Sequence, residues 1–517
     1  MSNADKFRPV IGKNVIENLT VGMYDDPRFV YREYVQNAAD QIDAAKKQNL
    51  YQSEDEPSIY IQINTDTKTV IIEDNATGIE SAKVLPLLGN IAQSTKNKYE
   101  DKGFRGIGRL GGLGYCEKLI FKTSFCGENV KSTMIWDAKK LKEIINDDSI
   151  KIGAAELISI ITDYSFDNNE NADTHYFKVI MENVTNEMLL DIQQVRDYLS
   201  MVAPVPFANY FTHKNKIYNN AKNKNVSIDE YNIYVNTDQL FKGYNNYIYK
   251  NNAVSEEDTI IDVAFFEEYY KEELLFWGWY GISSEMHQIP DENKSRGIRL
   301  RKSNIQIGLE NCLDKFHKRE LGNRYFIGEV YAVNKELIPN ARRDFFIDSD
   351  ECIQFSKRLR KLFFKLYDLY HDFSTKNAAI KAGLDLKDIS EKIKDDTLDT
   401  TTKEKLSSEI KKLEKKVGDA QKSLPRLLNK YQNKDSIFNI LEESIKDSGF
   451  DFGHEKEDKR QYLQKQDPQN LNYKASKPAL LPQEEAILKK VYTVLHQNLI
   501  KTTAEELIQK IEEEVRK

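Results

Sequence analysis

The sequence predicts an α+β protein built from three consecutive regions. Strand-like and helical segments alternate over roughly the first 375 residues, and a highly charged helical pattern follows from Ser374 onward. The 40% hydrophobic content, with 24 Phe and 28 Tyr, supplies enough apolar side chains for packed cores. We expect an α/β domain at residues 1–215, an α+β domain at 216–375 and a helical, partly coiled-coil region at 376–517.

Composition excludes several broad classes of function. The 75 basic and 82 acidic residues give a net charge of −7, so the whole chain does not attract nucleic acid or anionic membrane. The 4 cysteines form no CxxC pair and the 7 histidines show no metal-ligand spacing. No apolar run of about 18 residues or secretory leader is present. The sequence thus predicts a cytoplasmic protein, and its abundant Lys, Asn and Ile suggest a bacterial source.

The first region opens with a predicted helical segment, Val15 to Lys46. Asp26 is a candidate cap and Pro27 suits the first helical position. After the first helix, the sequence predicts four strands and two helices in this region. The strands are Ser58 to Ile63, Thr69 to Glu73, Lys118 to Thr123 and Ser132 to Trp136, and the helices are Ser81 to Leu88 and Asn186 to Met201.

Three polar side chains share one face of the opening helix. Glu33, Asn37 and Asp40 are spaced four and three residues apart, which aligns them along a helix. The amide oxygen of Asn37 is a hard ligand suited to Mg²⁺, which takes few protein ligands and completes its shell with water and phosphate oxygens. Glu33, one turn earlier, can polarise a water for attack on a terminal phosphate.

Three later segments fit the same chemistry. Asp74 ends a strand in the segment Ile71 to Gly78, where a carboxylate can accept a hydrogen bond from an exocyclic amine. Leu88 to Lys96 begins a long loop, and Gly103 to Gly108 lets backbone N–H groups approach phosphates at a helix start. Each motif alone is weak, but their order along the chain is informative.

Together these motifs resemble the superfamily of gyrase, heat-shock chaperone, histidine kinase and MutL ATPases, called GHKL. Arg32 to Asp43 is similar to its N-box, Asp74 to Gly78 to its DxGxG box, and Gly103 to Gly108 to its second glycine box. The Arg-Glu pair that opens the N-box, and the segment Leu88 to Ser94, most resemble the ninety-kilodalton heat-shock chaperones. Microrchidia and MutL ATPases are the second match. The resemblance implies a GHKL (Bergerat) ATPase sandwich followed by a ribosomal-S5-like domain.

The resemblance also implies roles for individual residues. Glu33 would be the general base, Asn37 the Mg²⁺ ligand and Asp74 the reader of adenine. Arg343, in a segment similar to the chaperone middle-domain loop, would act as an arginine finger, with Arg342 as the fallback. The remaining ATP-binding residues implied are Asp40, Gly78, Ile79, Ser94, Thr95, Lys96, Gly103, Arg105, Gly106, Ile107, Gly108 and Thr123, with Ala92 to Arg105 as a lid.

Four positions depart from the chaperone pattern. Ala76 stands where the first glycine of DxGxG is usual, and would cost about 1–2 kcal/mol if its backbone were left-handed. Leu87 and Gln93 replace Asn and Lys, and Arg109 replaces an aromatic residue, where it either contacts phosphate or is exposed. Because Glu33 and Asn37 are kept, we expect active but slow ATP hydrolysis.

The second and third regions carry fewer functional signals. The predicted second-region elements are strands Tyr231 to Val235, Thr259 to Phe266, Leu274 to Tyr280, Gly297 to Leu300, Asn304 to Ile307 and Tyr325 to Val333, and a helix Asp350 to Phe373. The basic run Lys294 to Lys302 either faces nucleic acid or, as the stronger prediction, forms a solvated edge strand. A heptad seam occupies Leu406, Ile410, Leu413, Val417, Ala420 and Leu424, compatible with an intramolecular hairpin or a dimer. Lys434 to Ser476 is predicted as a loose connector and Pro482 onward as helical.

Three functions remain open from the sequence. The first is an ATP-gated clamp related to the chaperones, dimeric through its ATPase domains, its C-terminal helices or both, and acting on a protein client. The second is a microrchidia- or MutL-like ATPase acting on DNA, for example in bacterial restriction or phage defence. The third is a nucleotide-sensing scaffold with little turnover. ATP and Mg²⁺ are the expected ligands in all three, and no membrane partner is expected.

Overall fold

The computed structural model describes residues 11–20, 26–52, 56–93, 99, 102, 106–250, 255–394, 399–432 and 435–448. Two compact units are present. The first comprises Met1–Ala378 together with Tyr431–Ser444, and the second comprises Ala379–Lys430 together with Ile445–Lys517. Within the described residues, no helix combines the length and the apolar character needed to cross a membrane.

An eight-stranded mixed sheet forms the first part of unit one. Its strands are β1 (Ser58–Asn64), β2 (Thr69–Asp74), β3 (Lys118–Ser124), β4 (Lys131–Asp137), β5 (Thr162–Asp167), β6 (Tyr176–Glu182), β7 (Asn232–Val235) and β8 (Asp238–Gln239). They lie in the order β5-β4-β3-β6-β2-β1-β7-β8. Every pairing is antiparallel except that of β1 with β7. The predicted α+β class is confirmed.

A helical layer packs on this sheet. Its helices are α1 (Asn14–Thr20), α2 (Phe29–Lys47), α3 (Ser81–Gly89), α4 (Ala138–Asn146), α5 (Ala154–Ile161) and α6 (Ile192–Val202). Val35, Ala39 and Ile42 of α2 are fully or almost fully buried in one core with Ile59 and Ile61 of β1. Each such apolar side chain contributes about 1.5–3 kcal/mol by leaving water. The core therefore fixes the orientation of α2, and with it the polar face of that helix.

The opening helical segment differs from the prediction at its start. It is two helices, and α2 begins at Phe29, two residues after Pro27. Asp26 still accepts a hydrogen bond from the backbone N–H of Arg28 at 2.9 Å, although it is not the N-cap residue. The first residue of a helix is harder to predict from sequence than its interior, because a terminal turn either continues the helix or ends it.

A six-stranded sheet follows in the same unit. After α7 (Lys214–Asn223), its strands are β9 (Tyr247–Lys250), β10 (Ser255–Tyr270), β11 (Glu273–Ser283), β12 (Gly297–Lys302), β13 (Ile305–Gln306) and β14 (Ile327–Ala332), in the order β13-β12-β14-β11-β10-β9. The strand predicted at 231–235 pairs with β1 instead, so the first sheet continues beyond residue 215. The predicted domain boundaries otherwise stay predictions.

The basic run at 294–302 does not form the solvated edge strand that the sequence predicted. Its strand, β12, lies between β13 and β14. Arg299 and Arg301 are buried, and Arg301 is paired with Glu329 of β14. Lys302 donates to the backbone oxygen of Asn334 at 2.7 Å. The guanidinium groups are thus used inside the fold, and the run offers no continuous basic surface.

The remaining described helices are α8 (Asp350–Lys392), α9 (Thr400–Lys430) and α10 (Asp435–Asp447). In unit two, Ala420 and Leu424 of the heptad seam pack with Ala379 of α8 and Ile445 of α10. The seam therefore has partners within its own chain. The predicted connector from Lys434 is wrong at its start, because α10 is helical there. The predicted helical region from Pro482 lies outside the described residues.

Candidate functional site

One cavity of about 300 Å³ is lined by residues of the first sheet and its helices, and by the loop that follows β14. Its polar wall comes from four stretches of the chain: Glu33 and Asn37 of α2, Asp74 and Gly78 at the end of β2, the segment Gly106 to Arg109, and Asn340 and Arg343 of that loop. Stretches that lie far apart in the sequence thus converge on one cavity.

The wall formed by α2 carries the candidate catalytic acid. Glu33 is 6% exposed, and one of its carboxylate oxygens lies 3.2 Å from the guanidinium of the almost fully buried Arg32. Gly108 packs directly against this carboxylate, since a Cβ atom added there would lie 2.4 Å from Glu33 Oε2. The carboxylate is therefore held between a guanidinium and a glycine backbone. Asn37 lines the cavity one turn later.

Asp40 occupies a different position from the one predicted. It is buried but does not line the cavity, and its Oδ1 accepts from the backbone N–H of Lys102 at 2.8 Å. The residue that continues the Glu33–Asn37 stripe into the cavity is Gln41. Asp40 and Gln41 follow Asn37 by three and four residues, so both lie on the same side of the helix as Asn37. The hydrogen bond from the backbone of Lys102 holds the Asp40 carboxylate outside the cavity lining. Sequence reasoning missed Gln41, which a further step of four residues reaches.

The opposite end of the cavity is formed by Asp74 and the turn after it. Asp74 is 2% exposed, and its Oδ1 accepts from the backbone N–H of Ala76 at 3.1 Å. Gly78 adopts a left-handed backbone with φ +66°, and an added Cβ would meet the Ser124 carbonyl oxygen at 1.8 Å. Ala76 is not among the residues with positive φ. The conditional cost considered for Ala76 therefore does not arise, and the glycine that this turn needs is Gly78.

Thr123 supports this turn from outside the cavity. Its hydroxyl accepts from the backbone N–H of Ile79 at 2.9 Å and donates to the Tyr176 carbonyl at 2.8 Å. It does not line the cavity. The nearby walls are apolar and aromatic, and the sequence did not single out three of the lining residues, Phe125, Phe177 and Val179. Because these come from strands and loops far apart in sequence, no local pattern identifies them.

The loop beyond β14 brings Arg343 to the cavity. Arg343 is 6% exposed and donates from Nη1 to the backbone oxygen of Lys102 at 2.6 Å, while Arg342 is exposed. The backbone of Arg343 is left-handed, with φ +55°. A non-glycine residue in this region costs about 1–2 kcal/mol. Such strain is typical of positions held for function, and of the two arginines only Arg343 contacts the cavity.

Lys102 connects three parts of unit one. Its side chain lies 2.5 Å from Asp43 of α2 and 3.5 Å from Asp229, and Tyr231 donates its hydroxyl to Asp43 at 2.7 Å. Burial lowers the pKa of Lys102, but Asp229 and Asp43 raise it by more, so the net shift is upward. The ammonium group is thus held charged. With Arg343 on its carbonyl, Lys102 ties the α2 wall to the arginine loop.

Several predicted residues fall outside the described part of the chain. They are Ser94, Thr95, Lys96, Gly103 and Arg105. The described residues of the second glycine box, Gly106, Ile107 and Gly108, line the cavity. Gly106 has φ +70°, which only glycine adopts freely.

The donor set at the α2 wall suits Mg²⁺. Asn37 offers an amide oxygen and Glu33 a carboxylate one turn away, both in the cavity wall. Among the residues that the structure describes, no group of three His, Cys, Asp or Glu side chains could hold a metal. A Mg²⁺ ion bound here would accordingly draw most of its ligands from water and phosphate.

The comparison with known families now decides the class of this domain. Residues 27–169 match the family described as histidine kinase-, DNA gyrase B- and HSP90-like ATPase. These residues form a GHKL ATPase domain. The match covers the cavity-lining residues of α2, Asp74 and the glycine segment, and it ends before Phe177 and Val179 of β6, which also line the cavity.

Similar proteins include several chaperones named HtpG. The chain is 27% identical to HtpG of Psychrobacter cryohalolentis over 159 residues, which is 26% of this chain and 24% of that protein. It is 23% identical to HtpG of Psychrobacter arcticus over 198 residues, covering 35% and 30%. It is 29% identical to HtpG of Buchnera aphidicola from Baizongia pistaciae over 153 residues, covering 26% and 24%. The chain therefore spans about a quarter to a third of the length of these relatives.

Proposed function

We propose that the cavity binds ATP with Mg²⁺ and that this chain hydrolyses it. The observation that carries the proposal is the convergence on one cavity of Glu33 and Asn37, Asp74, Gly108 and Arg343. These residues supply a carboxylic acid, a metal ligand, an acceptor for an amine, a glycine backbone that a phosphate can approach, and a guanidinium from the loop after β14. The GHKL ATPase domain gives the same expectation independently.

The nucleotide would lie with its base against the Asp74 end. The Asp74 carboxylate accepts a hydrogen bond from the exocyclic amine of adenine, and Ile72, Ile79, Phe177 and Val179 supply apolar walls for the ring. Guanine presents a carbonyl oxygen at the position of that amine and would set a second acceptor against the carboxylate, at a cost of about 1–3 kcal/mol. This end of the cavity would therefore select adenine over guanine.

The phosphates would extend toward Glu33 and Gly108. The Glu33 carboxylate, oriented by Arg32 at 3.2 Å, accepts a proton from the attacking water. The water oxygen bonds to the terminal phosphorus as the bond to the oxygen bridging from ADP breaks, releasing ADP and phosphate. Arg343 stabilises the charge on the terminal phosphate. Mg²⁺ bound at Asn37 would neutralise part of the phosphate charge.

The wider role we propose is a nucleotide-gated dimeric clamp resembling the HtpG chaperones. Its support is the likeness to HtpG over 159 residues and the hydrogen bond that Arg343, in the loop after β14, donates to the backbone of Lys102. Such a link makes the arrangement of the two sheets sensitive to what occupies the cavity. A DNA-handling role has lost its residue-level support, because Arg299 and Arg301 are buried.

Phosphate release by the purified chain tests the proposal. Glu33→Gln keeps the size of the side chain and removes the base, so the rate should fall by about 10²- to 10⁴-fold. Glu143→Gln, an exposed acid on α4 of the same domain, should leave it unchanged. Equal rates for wild type and Glu33→Gln would exclude Glu33 as the base. ATP binding without turnover by the wild type would favour the nucleotide-sensing scaffold.

A further inference from the structure

Arg109 lines the cavity directly after Gly108, the residue that packs against the Glu33 carboxylate. Its backbone oxygen accepts a hydrogen bond from the Tyr34 hydroxyl at 2.9 Å, which fixes the start of the 3-10 helix Gly108–Gly114. Its guanidinium donates through Nη2 to the backbone oxygen of Asn90, just beyond α3. Arg109 is therefore held at the end of the cavity where Glu33 lies.

The guanidinium of Arg109 differs from the other cations of the cavity wall. Lys83 is paired with Glu80 at 2.5 Å and is exposed, and Arg343 donates to the Lys102 carbonyl at 2.6 Å. Among the described residues, no carboxylate forms a salt bridge with Arg109, and its buried Nε has no hydrogen-bond partner. A half-buried cation with an unused, buried Nε–H and no counter-ion among the described residues is suited to bind an anion.

Burial also affects the protonation of this group. It lowers the pKa of Arg109 to about 10, because the guanidinium has lost water without gaining a nearby negative charge. At neutral pH the side chain is still cationic. A polyphosphate entering the cavity would supply both the missing charge and acceptors for the unused N–H groups.

We propose that Arg109 binds the phosphate chain of the nucleotide from the end of the second glycine box. This inference rests on the proposed function, since it names a further ligand of the same cavity. It assigns a role to a residue that departs from the chaperone pattern and that the sequence left between phosphate contact and exposure. Arg109 is a binding residue in this account, beside the base Glu33 and the arginine Arg343.

A competing role for Arg109 is purely structural. The Arg109–Asn90 hydrogen bond also holds together two parts of the chain that are nineteen residues apart in sequence. A fastening role would affect every ligand of the cavity to the same extent. A phosphate-binding role would affect only ligands that carry phosphate. The two are separated by a ligand series that differs in phosphate number alone.

Calorimetric titration of adenosine, ADP and ATP with Mg²⁺ into the full chain tests this. For Arg109→Gln we expect ATP affinity about 10- to 100-fold below wild type, with adenosine affinity unchanged. Arg109→Lys, which keeps the charge but not the planar fork, should bind ATP with intermediate affinity. Arg360→Gln, an exposed arginine on α8, is the matched control and should match the wild type for all three ligands.

Three results would overturn the inference. The first is wild-type ATP affinity in Arg109→Gln, and the second is an equal loss for adenosine and ATP, which would leave only the fastening role. If circular dichroism shows that Arg109→Gln does not fold, Arg109→Lys carries the test, and its ATP affinity must fall several-fold while adenosine binding stays unchanged. The third is a wild type that binds no ATP, which would overturn the proposed function as well; the first two leave that function intact.

Discussion

Two clusters of buried charged side chains in unit one differ in what the charges face. Glu33 lies in the wall of the cavity beside the buried Arg32, and Gly108 packs against its carboxylate. Lys242 and Glu329 lie in a sealed cluster beside the second sheet, with both side chains 0% exposed. Burial is similar in the two places, but only one of them borders a space that a ligand can enter.

The sealed cluster is fully occupied by its own members. Lys242 donates to both Glu329 oxygens at 2.8 and 2.9 Å, to Asn304 at 2.7 Å and to the Tyr331 hydroxyl oxygen at 2.9 Å. Arg301 also pairs with Glu329. Two cations share one carboxylate, and the hydrogen bonds are made within the cluster. The comparison teaches that buried charge alone does not indicate a catalytic site; a neighbouring cavity and unused donors do.

The largest effect that would distinguish the sealed cluster from the cavity wall is a loss of folding stability in the variant Glu329→Gln. Glu329→Gln removes the carboxylate that pairs with both Lys242 and Arg301 in the described part of the chain, so two buried cations lose this counter-ion. Breaking such a buried arrangement costs about 3–5 kcal/mol. We expect a marked fall in the urea midpoint, with ATP turnover per folded chain unchanged.

The control for that experiment is Asp388→Asn. Asp388 pairs with Lys392 at 2.6 Å, and the two side chains are 60% and 63% exposed. An exposed pair contributes about 0–1 kcal/mol, so the urea midpoint should stay near that of the wild type. Loss of ATP turnover in folded Glu329→Gln would show that the sealed cluster takes part in catalysis, and would contradict the distinction between the cluster and the cavity wall.

A smaller effect should appear in the pH dependence of stability. Burial, and then the neighbouring Arg301, lowers the pKa of Lys242 to about 7 from its ordinary 10.5. Between these values the unfolded chain binds a proton that the folded chain has lost, so the contribution of Lys242 to stability rises with pH. The slope is about 1 kcal/mol per pH unit above pH 7. Lys242→Met should remove it, as measured by urea unfolding of both proteins from pH 7 to 8.5.

The difference in unfolding free energy between wild type and Lys242→Met, taken at each pH, separates the effect of Lys242 from that of the buried thiols. Burial raises the pKa of Cys116 and of Cys312 to about 12, and these groups oppose the trend equally in both proteins. A flat difference between wild type and Lys242→Met across this range would mean that Lys242 stays protonated in the folded chain.

The sequence predicted those parts of the molecule that depend on local pattern. The strands β1 to β4 and helix α3 lie within two residues of their predicted bounds, because alternation and turn residues are read over short distances. The cavity wall on α2 followed from a four-residue spacing, which a helix fixes by its geometry. The same spacing could not show that the Asp40 carboxylate accepts from the backbone N–H of Lys102, because Lys102 lies 62 residues later in the chain.

What the sequence could not predict depends on contacts between distant residues. The strand at 232–235 has an ordinary strand pattern, and only its pairing with β1 shows to which sheet it belongs. Arg299 and Arg301 have the composition of a surface run, but β14 provides the carboxylate that allows Arg301 to be buried. Arg109 was undecided between phosphate contact and exposure because its environment is set by Asn90, nineteen residues earlier.

The central claim is that the cavity binds ATP with Asp74 reading the adenine. The most direct test is calorimetric titration of ATP with Mg²⁺ into Glu33→Gln, which should bind without turnover, and into the double variant with Asp74→Asn. We predict one ATP per chain for Glu33→Gln and an affinity about 10- to 100-fold lower for the double variant, because an amide is a weaker acceptor than a carboxylate. Equal affinities in the two proteins, or no binding to Glu33→Gln, would contradict the account.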